Sequence, residues 1–523
     1  SAQDVPQRDR VATPQQTPTP KPSPSASPIV SPPVSASPTP TPRIQTLPEL
    51  QSSIRSVLAR PDLQRARLGI KIVSLDSGKT VFEENAEKYF MPASNMKSFT
   101  VAAALDRLTP NFRFVTSVYA PARPDAAGVV RGDLVVYGRG DPLFSTNPIE
   151  GVPGTSTLSE LASKIAASGV KRIEGNLIGD ESYFSDGPLQ ATWEWDDLQW
   201  KSGAEVSALS INDNVVNLQI APGAQIGLPC VVTFSPSNQL FTVMNMTQTS
   251  ASGAKQELEV HKRLGTNILE LRGTMPLGAK AWSSDITVAK PAEMFAALLK
   301  NELANKGVTV TGQTRSIDAK MRLKAPLNTS ALTELVRYES PLLGLIAAKT
   351  MKPSQNTYTE LILRALGESV GDKTNPKQTS SERGIAVVNK FLQENGIPAG
   401  SVVMWDGSGL SRHNLITPNA ATQLYSQMNR HRFAAIWRES LTIGGTDGTL
   451  QNRFKNTLAA GNVRGKTGTI DQVSALSGYM TTASGERLAF SVIVNNLPGS
   501  SAAQRRVIDD IILLLANFNG KSN

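Results

Sequence analysis

Three short polar stretches that lie far apart along the chain constrain its fold more than any other feature. A serine precedes a lysine by three residues at Ser94 and Lys97, a Ser-x-Asn triplet begins at Ser354, and a Lys-Thr-Gly triplet begins at Lys466. Residues of these types can act together only if they meet in one cleft. The chain must therefore bring its beginning and its end together and loop out the long segment between the first two stretches.

The texture of the sequence changes at about residue 112 and again at about 335. Between these positions short strands alternate with Gly and Pro turns, whereas helical periodicity is stronger outside them. Alternating apolar residues predict two strands near the start of the chain and three near its end, at 68–72, 80–82, 465–469, 476–481 and 488–494. We therefore expect an α/β fold of the α+β type, in which a five-stranded antiparallel sheet flanked by helices is interrupted by a large, mainly β insertion.

The same changes of texture predict the domain boundaries. The expected units are a spacer at 1–43, a split domain at 44–111 and 336–523, a first insertion domain at 112–206 and 325–335, and a second at 207–324. The spacer is rich in Pro, Ser and Thr and nearly free of large apolar side chains. It cannot bury enough surface to offset the entropy of ordering, so we expect it to be disordered.

The composition argues against several classes of protein. With 523 residues the chain is too long for one hydrophobic core. Its 53 basic and 44 acidic residues give a net charge of +9, but they are scattered, which argues against nucleic-acid binding. The single cysteine, Cys230, excludes an intrachain disulfide, and the three histidines offer no His-x-x-x-His zinc pair. We expect neither a metal nor a cofactor.

The sequence shows neither an export signal nor a membrane span. It begins at Ser1 without an apolar signal core, and no run of about 18 apolar residues occurs. We expect a processed or truncated chain that has lost its signal peptide and has no transmembrane segment. The apolar residues at 507–515 are interrupted by two aspartates and predict a buried C-terminal helix.

Ser94 and Lys97 are the candidate nucleophile and base. A proline precedes them and a helical run follows, which predicts both side chains on one face near a helix N-terminus. Two other Ser-x-x-Lys pairs, beginning at Ser168 and Ser252, contain glycine and lie in turn-rich sequence. A lysine acts as a base only when it is neutral, and burial and a second cation at Lys466 would both lower its pKa.

The second stretch is expected to supply a hydroxyl and an amide. Ser354 and Asn356 lie in the loop between two predicted helices, where the hydroxyl can shuttle a proton and the amide can hold a substrate. Two other Ser-x-Asn triplets compete with this one. The triplet at Ser145 runs into a proline, and the triplet at Ser210 runs into a strand.

The third stretch lies on a predicted strand. Lys466 supplies positive charge, Thr467 supplies a hydroxyl for a terminal carboxylate, and Gly468 lets a substrate backbone lie close to the strand. The backbone N–H groups of Thr469 and Ser94 would form an oxyanion hole, in which one donor contributes about 3 kcal/mol of transition-state stabilisation.

With these motifs in this order, the chain resembles the low-molecular-mass class C penicillin-binding proteins, the D-alanyl-D-alanine carboxypeptidase/endopeptidase family. Stretches at 138–142, 406–414 and 444–449 are also similar to that family. The resemblance covers roughly residues 47–520 and implies a transpeptidase/β-lactamase-like domain split by an insertion.

The resemblance also implies roles, a substrate and a location. Ser94 would be the nucleophile and Lys97 the proton acceptor. Arg412 would help hold the acidic end of a diaminopimelate side chain and Asp180 its amino end, although a surface ion pair and a turn cap are the alternative roles of these two residues. The substrates would be stem peptides of peptidoglycan, with β-lactams as inhibitors, in the periplasm or at the cell wall.

Other functions stay open from sequence alone. A serine β-lactamase would keep the fold but deacylate faster, and a non-catalytic wall-binding protein would keep the fold without turnover. The large insertion favours a wall enzyme over a β-lactamase, and the presence of all three motifs favours an enzyme over a silent binding protein. Carboxypeptidase and endopeptidase activities use the same residues, so sequence does not separate them.

Overall fold

The computed structural model describes residues 44–522, so the predicted spacer lies outside the described residues. The α-helices in this range are α1 (Leu47–Leu58), α2 (Met96–Arg107), α3 (Thr157–Ala167), α4 (Pro291–Asn305), α5 (Ala319–Lys324), α6 (Leu343–Met351), α7 (Asn356–Val370), α8 (Ser380–Glu394), α9 (Pro418–Arg430), α10 (Ala434–Ser440) and α11 (Ser501–Asn517). The strands are β1 (Arg67–Ser74), β2 (Thr80–Glu84), β3 (Val115–Ala120), β4 (Val129–Arg131), β5 (Leu134–Tyr137), β6 (Arg172–Glu174), β7 (Leu177–Asp180), β8 (Val215–Ala221), β9 (Val231–Ser235), β10 (Thr242–Ser250), β11 (Glu257–Lys262), β12 (Ile268–Pro276), β13 (Trp282–Thr287), β14 (Thr309–Val310), β15 (Thr314–Ile317), β16 (Thr333–Glu339), β17 (Val402–Val403), β18 (Leu415–Ile416), β19 (Thr442–Ile443), β20 (Arg464–Ile470), β21 (Val473–Thr481) and β22 (Arg487–Asn495).

The central sheet joins the two ends of the chain. Its strand order is β19-β20-β21-β22-β1-β2, and every neighbouring pair is antiparallel. Strand β1 pairs with β22 along its whole length, from Arg67 opposite Asn495 to Ser74 opposite Leu488. The predicted fold class is confirmed, with the two early and three late strands in one sheet. A sixth strand, β19, extends it, and its two residues are too few to show a period in the sequence.

Helices cover both faces of this sheet. On β21, Ala475 and Tyr479 pack into the apolar cluster of α2, α7 and α9, whereas Leu476 and Met480 pack into the cluster of α1 and α11. Successive side chains of a strand point to opposite faces. A strand covered on both sides is therefore buried along nearly its whole length, as β21 is.

Helix α11 closes one face of the sheet. Ser500 caps its first turn by accepting a hydrogen bond from the backbone N–H of Ala503 at 3.3 Å. Val507, Ile511 and Leu515 recur every four residues and are fully buried, so the predicted C-terminal helix is present. Within residues 44–522, none of the helices reaches the length and apolarity that crossing a bilayer would demand.

The insertion is built on a second sheet of strand order β15-β7-β5-β3-β16, beside a smaller sheet of order β14-β6-β4. Helices α3 and α4 pack on these strands through buried residues that include Leu161, Phe295 and Leu299. Two further three-stranded sheets, β13-β8-β9 and β10-β12-β11, enclose a separate small apolar cluster.

The domain boundaries drawn from sequence texture differ from the strand pairing. We expected residues 207–324 to form one unit, but β15 pairs with β7, and β14 pairs with β6, so both strands and helix α4 belong with the larger unit. The smaller unit is confined to the strands from β8 to β13. Strand β16 crosses the expected boundary at 335 and pairs with β3. The local pattern of apolar residues and Gly or Pro turns indicates where short strands lie. It does not indicate which strands pair, because pairing joins residues that are far apart in the chain.

Replacing Ile511 by Ala tests the packing of α11 on the sheet. Ile511 is fully buried, and truncating such a side chain leaves a cavity and costs about 2–5 kcal/mol. We expect a lower midpoint of thermal unfolding, measured by circular dichroism. Arg506→Ala, on the exposed side of the same helix, should leave the midpoint nearly unchanged. Equal midpoints for the two variants would contradict this packing.

Candidate active site

Ser94 lies in a short 3-10 turn, Ala93–Asn95, that runs directly into helix α2. Ala93 has a φ of 46°, in the left-handed region that costs a non-glycine residue on the order of 1–3 kcal/mol. Ser94 is half-buried, and Lys97, one helical turn later, is fully buried. The strained turn presents the hydroxyl at the start of the helix, and the helix brings the amine to the same face.

Three oxygen atoms surround the amine of Lys97. Its Nζ lies 2.9 Å from Ser94 Oγ, 2.6 Å from Asn356 Oδ1 and 2.7 Å from the carbonyl oxygen of Ser408. A neutral amine has two hydrogens and one lone pair. Because the two carbonyl oxygens accept both hydrogens, the lone pair is left for the hydroxyl hydrogen of Ser94. This arrangement is suited to transfer of the hydroxyl proton of Ser94 to the amine of Lys97.

Burial lowers the pKa of Lys97 to about 7, because the ammonium form loses its hydration. The negative charges of Asp406 and Glu360 act in the opposite direction and favour the ammonium. Near neutral pH the neutral and the charged forms of this side chain are therefore both accessible.

A second hydroxyl and a second amine also meet in the site. Ser354 lies in the loop between α6 and α7 with a φ of 68°, and Lys466 Nζ donates to Ser354 Oγ at 2.9 Å. The same amine donates to the carbonyl oxygen of Thr467 at 2.9 Å. The structure brings together all the residues that the sequence proposes for catalysis: Ser94, Lys97, Ser354, Asn356 and Lys466.

Asn356 is the first residue of helix α7, whereas the sequence placed it in the preceding loop. Its Oδ1 accepts from Lys97, and its Nδ2 donates to the carbonyl oxygen of Ser202 at 2.9 Å, in a 3-10 turn of the insertion (Lys201–Gly203). Because both ends of the amide are bonded, its orientation is fixed with the oxygen toward Lys97. The insertion thus helps to position a side chain of the site.

Burial holds the pKa of Lys466 well below its ordinary value, and the charge of Lys97 lowers it further. From the sequence we expected burial and Lys466 together to lower the pKa of Lys97; burial is the largest cause at both amines, and the charges that act on Lys97 are those of Asp406 and Glu360. Two ammonium groups in one desolvated cleft repel each other. A proton is therefore accepted more readily by one amine when the other is neutral.

Strand β20 passes beside the turn that holds the nucleophile. On it, Thr467 Oγ1 donates to Thr449 Oγ1 at 2.7 Å, and Thr469 is exposed. A Cβ on Gly468 would lie 2.4 Å from the carbonyl oxygen of Pro92. Glycine is required here because the nucleophile's own turn packs on the strand. That reason differs from the one drawn from sequence, which was the approach of a substrate backbone.

Arg412 lies in the loop of residues 404–414 and joins three segments. Its Nε is 3.1 Å from Glu194 Oε2 in the insertion, and its Nη1 donates to the carbonyl oxygen of Asp471, which follows β20, at 3.0 Å. The guanidinium of Arg412 therefore forms an ion pair with a carboxylate of the same chain, that of Glu194. A contact with an acidic substrate side chain stays a prediction, and such a group would compete with Glu194.

Asp180 is not placed to hold a substrate amine, contrary to the expectation from sequence. It ends strand β7 with a fully buried carboxylate that lies 2.6 Å from Arg322 Nη2 and accepts from the backbone N–H of Ser182. The insertion therefore neutralises this charge internally. Arg322 is 142 residues away in the chain, and no local pattern could have indicated the pairing.

Three buried groups beneath the base were not proposed from sequence. Ser408 supplies a carbonyl oxygen to the base, and Glu360 Oε1 accepts from the backbone N–H groups of Gly407 at 3.0 Å and Ser408 at 2.8 Å. Asp406 accepts from N–H groups of its own loop. A signal existed for Glu360, which follows Asn356 by four residues and so shares its face of α7.

Comparisons with protein families and curated proteins give consistent matches. A family model described as the D-Ala-D-Ala carboxypeptidase 3 (S13) family matches residues 50–518. A D-alanyl-D-alanine carboxypeptidase of an Actinomadura species is 32% identical over 486 residues, which are 91% of this chain and 86% of that protein. The D-alanyl-D-alanine carboxypeptidase DacB of Haemophilus influenzae is 25% identical over 438 residues, 82% of this chain and 85% of that protein.

The fold is also similar to that of solved structures. The crystal structure of penicillin-binding protein 4 from Haemophilus influenzae matches with a TM-score of 0.74 at 24% identity, over 89% of this chain and 98% of that one. The same protein complexed with a β-lactam matches with a TM-score of 0.69. The fold of this chain is therefore shared with a solved structure.

Gly468→Ala tests the contact between β20 and the nucleophile's turn. The added Cβ would meet Pro92 at 2.4 Å and push strand and turn apart. A displacement of about 1 Å can cost on the order of 10²-fold in rate, so we expect acylation of Ser94 by an active-site reagent to fall by about that factor. Gly187→Ala is the matched control, because the nearest atom to its Cβ is 4.0 Å away. Stopped-flow acylation kinetics check this, and equal rates in both variants would refute it.

Proposed function

The chain belongs to the D-Ala-D-Ala carboxypeptidase 3 family and is a peptidase, and we propose that it cleaves the terminal D-alanine from stem peptides of peptidoglycan through an acyl-enzyme on Ser94. One observation carries this proposal: the fully buried amine of Lys97 lies 2.9 Å from Ser94 Oγ, with its two hydrogens accepted by other oxygens. Within residues 44–522, Ser94 is the only serine of the three motifs whose hydroxyl contacts the amine of Lys97.

Acylation begins with proton transfer from Ser94 Oγ to the neutral amine of Lys97. The oxygen attacks the carbonyl carbon of the penultimate D-alanine, and the backbone N–H groups of Ser94 and Thr469 receive the negative charge of the tetrahedral intermediate. The C–N bond then breaks, and the proton taken up by Lys97 passes to the leaving amine through the hydroxyl of Ser354, which Lys466 holds at 2.9 Å, so that Lys97 is neutral again. The products are free D-alanine and an ester on Ser94.

Deacylation follows with water as the nucleophile, and Lys97 again acts first as base and then as acid. Lys97 takes a proton from water, hydroxide attacks the ester carbonyl, and Ser94 leaves with a proton returned by the lysine. An amine of a cross-linked strand can replace D-alanine as the leaving group without any change in these residues, so endopeptidase activity belongs to the same proposal.

The substrate carboxylate would be received next to Lys466 and the hydroxyls of Thr467 and Thr469. Burial holds the pKa of Lys466 well below its ordinary value, and an anion placed beside it would favour its charged form. The pairing of a carboxylate with this amine would therefore raise the pKa of Lys466 when substrate is bound. Because peptidoglycan lies outside the cytoplasmic membrane, we propose an extracytoplasmic location.

Incubation with a linear pentapeptide that ends in D-Ala-D-Ala tests the proposed function. We expect release of one D-alanine, detected by mass spectrometry, and a penicillin adduct on the peptide that contains Ser94. Ser94→Ala should lose both the turnover and the adduct, with a decrease of about 10⁴-fold or more in rate. Folded protein that forms no adduct, or forms it elsewhere, would overturn the proposal. Rapid turnover of nitrocefin with no cleavage of the pentapeptide would instead identify a β-lactamase.

The rate of acylation should depend on pH through Lys97. Since burial lowers the pKa of this amine to about 7, the neutral form increases as the pH rises through that value. We expect the second-order rate constant for penicillin acylation, measured between about pH 5 and pH 9, to increase with a midpoint near 7. Circular dichroism at each pH controls for unfolding. A rate that is constant or decreases over this range would rule out Lys97 as the base.

A further inference from the structure

Glu360 is a fully buried carboxylate directly beneath the base. Its Oε1 accepts hydrogen bonds from two consecutive backbone N–H groups, those of Gly407 at 3.0 Å and Ser408 at 2.8 Å. The proposed reaction uses no atom of this side chain. A buried carboxylate is costly unless it is bonded or paired, so its place in the site calls for a physical reason.

Residue 408 connects this carboxylate to the base. The N–H of Ser408 donates to Glu360, and the carbonyl oxygen of the same residue accepts from Lys97 Nζ at 2.7 Å. Asn356, one turn earlier on α7, contacts the same amine directly. Helix α7 therefore reaches Lys97 twice from one face, once through a side-chain amide and once through residue 408.

The loop that carries residue 408 also packs against the nucleophile's turn. Gly409 has a φ of 82°, and a Cβ there would lie 1.9 Å from the carbonyl oxygen of Ala93. A carboxylate that holds residues 407 and 408 thus holds a loop wedged beside Ser94. Glu360 is placed to control the position of both reacting groups.

The charged groups that act on Glu360 and Lys97 are themselves buried. Asp406 in the loop raises the pKa of Glu360 in addition to burial, and Arg364, one turn later on α7, lowers it, so that the pKa of Glu360 is about 7. Lys466 is also close enough for the charge of Lys97 to lower its pKa. Glu360 in its charged form favours the ammonium form of Lys97. The carboxylate therefore opposes the effect of burial on the amine.

We propose that Glu360 is a positioning residue for the base, which holds the carbonyl oxygen of Ser408 against Lys97 Nζ and stabilises by its negative charge the ammonium formed when Lys97 takes the proton of Ser94. Only that one proton moves in this step, from Oγ to Nζ, and Glu360 neither gives nor takes a proton in it. The inference rests on the proposed role of Lys97 as the base.

Glu360→Gln removes the charge and keeps an oxygen that can accept from residues 407 and 408. Without the anion the pKa of Lys97 falls, so the rise of acylation rate with pH should move to lower pH by on the order of half a unit or more. A weaker base also lowers the rate at high pH, by about three- to tenfold. Penicillin acylation of the full chain, normalised to the folded fraction, measures both.

Glu360→Asp separates the two effects in the other way. It keeps the negative charge but shortens the side chain by one methylene, so the carboxylate no longer reaches residues 407 and 408 in the same way. We expect a lower rate at high pH with the midpoint nearly unmoved. Asp141→Asn is the control: Asp141 is also a fully buried carboxyl whose pKa is raised by burial, but its hydrogen bond is to the backbone N–H of Leu143. This variant should change neither quantity.

The outcomes separate this inference from the proposed function. If the native protein shows no rise of acylation rate near pH 7, and Lys97→Met acylates normally, the role of Lys97 fails. If the native rise is present and Glu360→Gln neither moves nor lowers it, Glu360 is only structural and the inference fails. Should the Gln variant not fold, the Asp variant decides: a lowered rate with an unmoved midpoint supports the inference, and an unchanged rate overturns it.

Discussion

The removal of water from one amine governs most of this site. Lys97 sits on a helix whose residues 96–105 are all buried, and its pKa falls to about 7 because no solvent stabilises the ammonium. Three oxygens replace the lost water, and they come from three segments: the turn of Ser94, helix α7 and the loop at Ser408. Helices α2 and α7 pack in one apolar cluster with β21 and β22 of the central sheet, in which β22 pairs with β1 from the start of the chain.

Two amines and two carboxylates determine the charge of the cleft. Lys97 and Lys466 face the cleft without enough solvent to charge both, whereas Glu360 and Asp406 lie beneath Lys97 and oppose its deprotonation. Burial and these negative charges therefore act in opposite directions on the pKa of Lys97. A site with the amines alone would be a weak base, and a site with the carboxylates in direct contact would keep the lysine charged. Residue 408 lies between Glu360 and Lys97 and keeps the carboxylate out of direct contact with the amine.

Local patterns predicted the ends of the chain better than its middle. Strand alternation and the helical run after Ser94 are short-range signals, and they gave five of the six strands of the central sheet as well as the helix that carries Lys97. The pairing of β15 with β7 and the neutralisation of Asp180 by Arg322 depend on contacts across the fold, which no local pattern encodes. Gly468 was recognised as necessary, but the neighbour that requires it is a turn of the same chain.

The insertion holds a side chain that contacts the amine of Lys97. The carbonyl oxygen of Ser202 accepts from the amide nitrogen of Asn356, and this bond keeps the amide oxygen turned toward the base. If the insertion were excised, or exchanged for that of a relative, the amide could rotate about its last torsion and present hydrogens to an amine that needs an acceptor. A separated or chimeric catalytic unit would therefore have to supply an equivalent acceptor in the same place before its nucleophile could be activated.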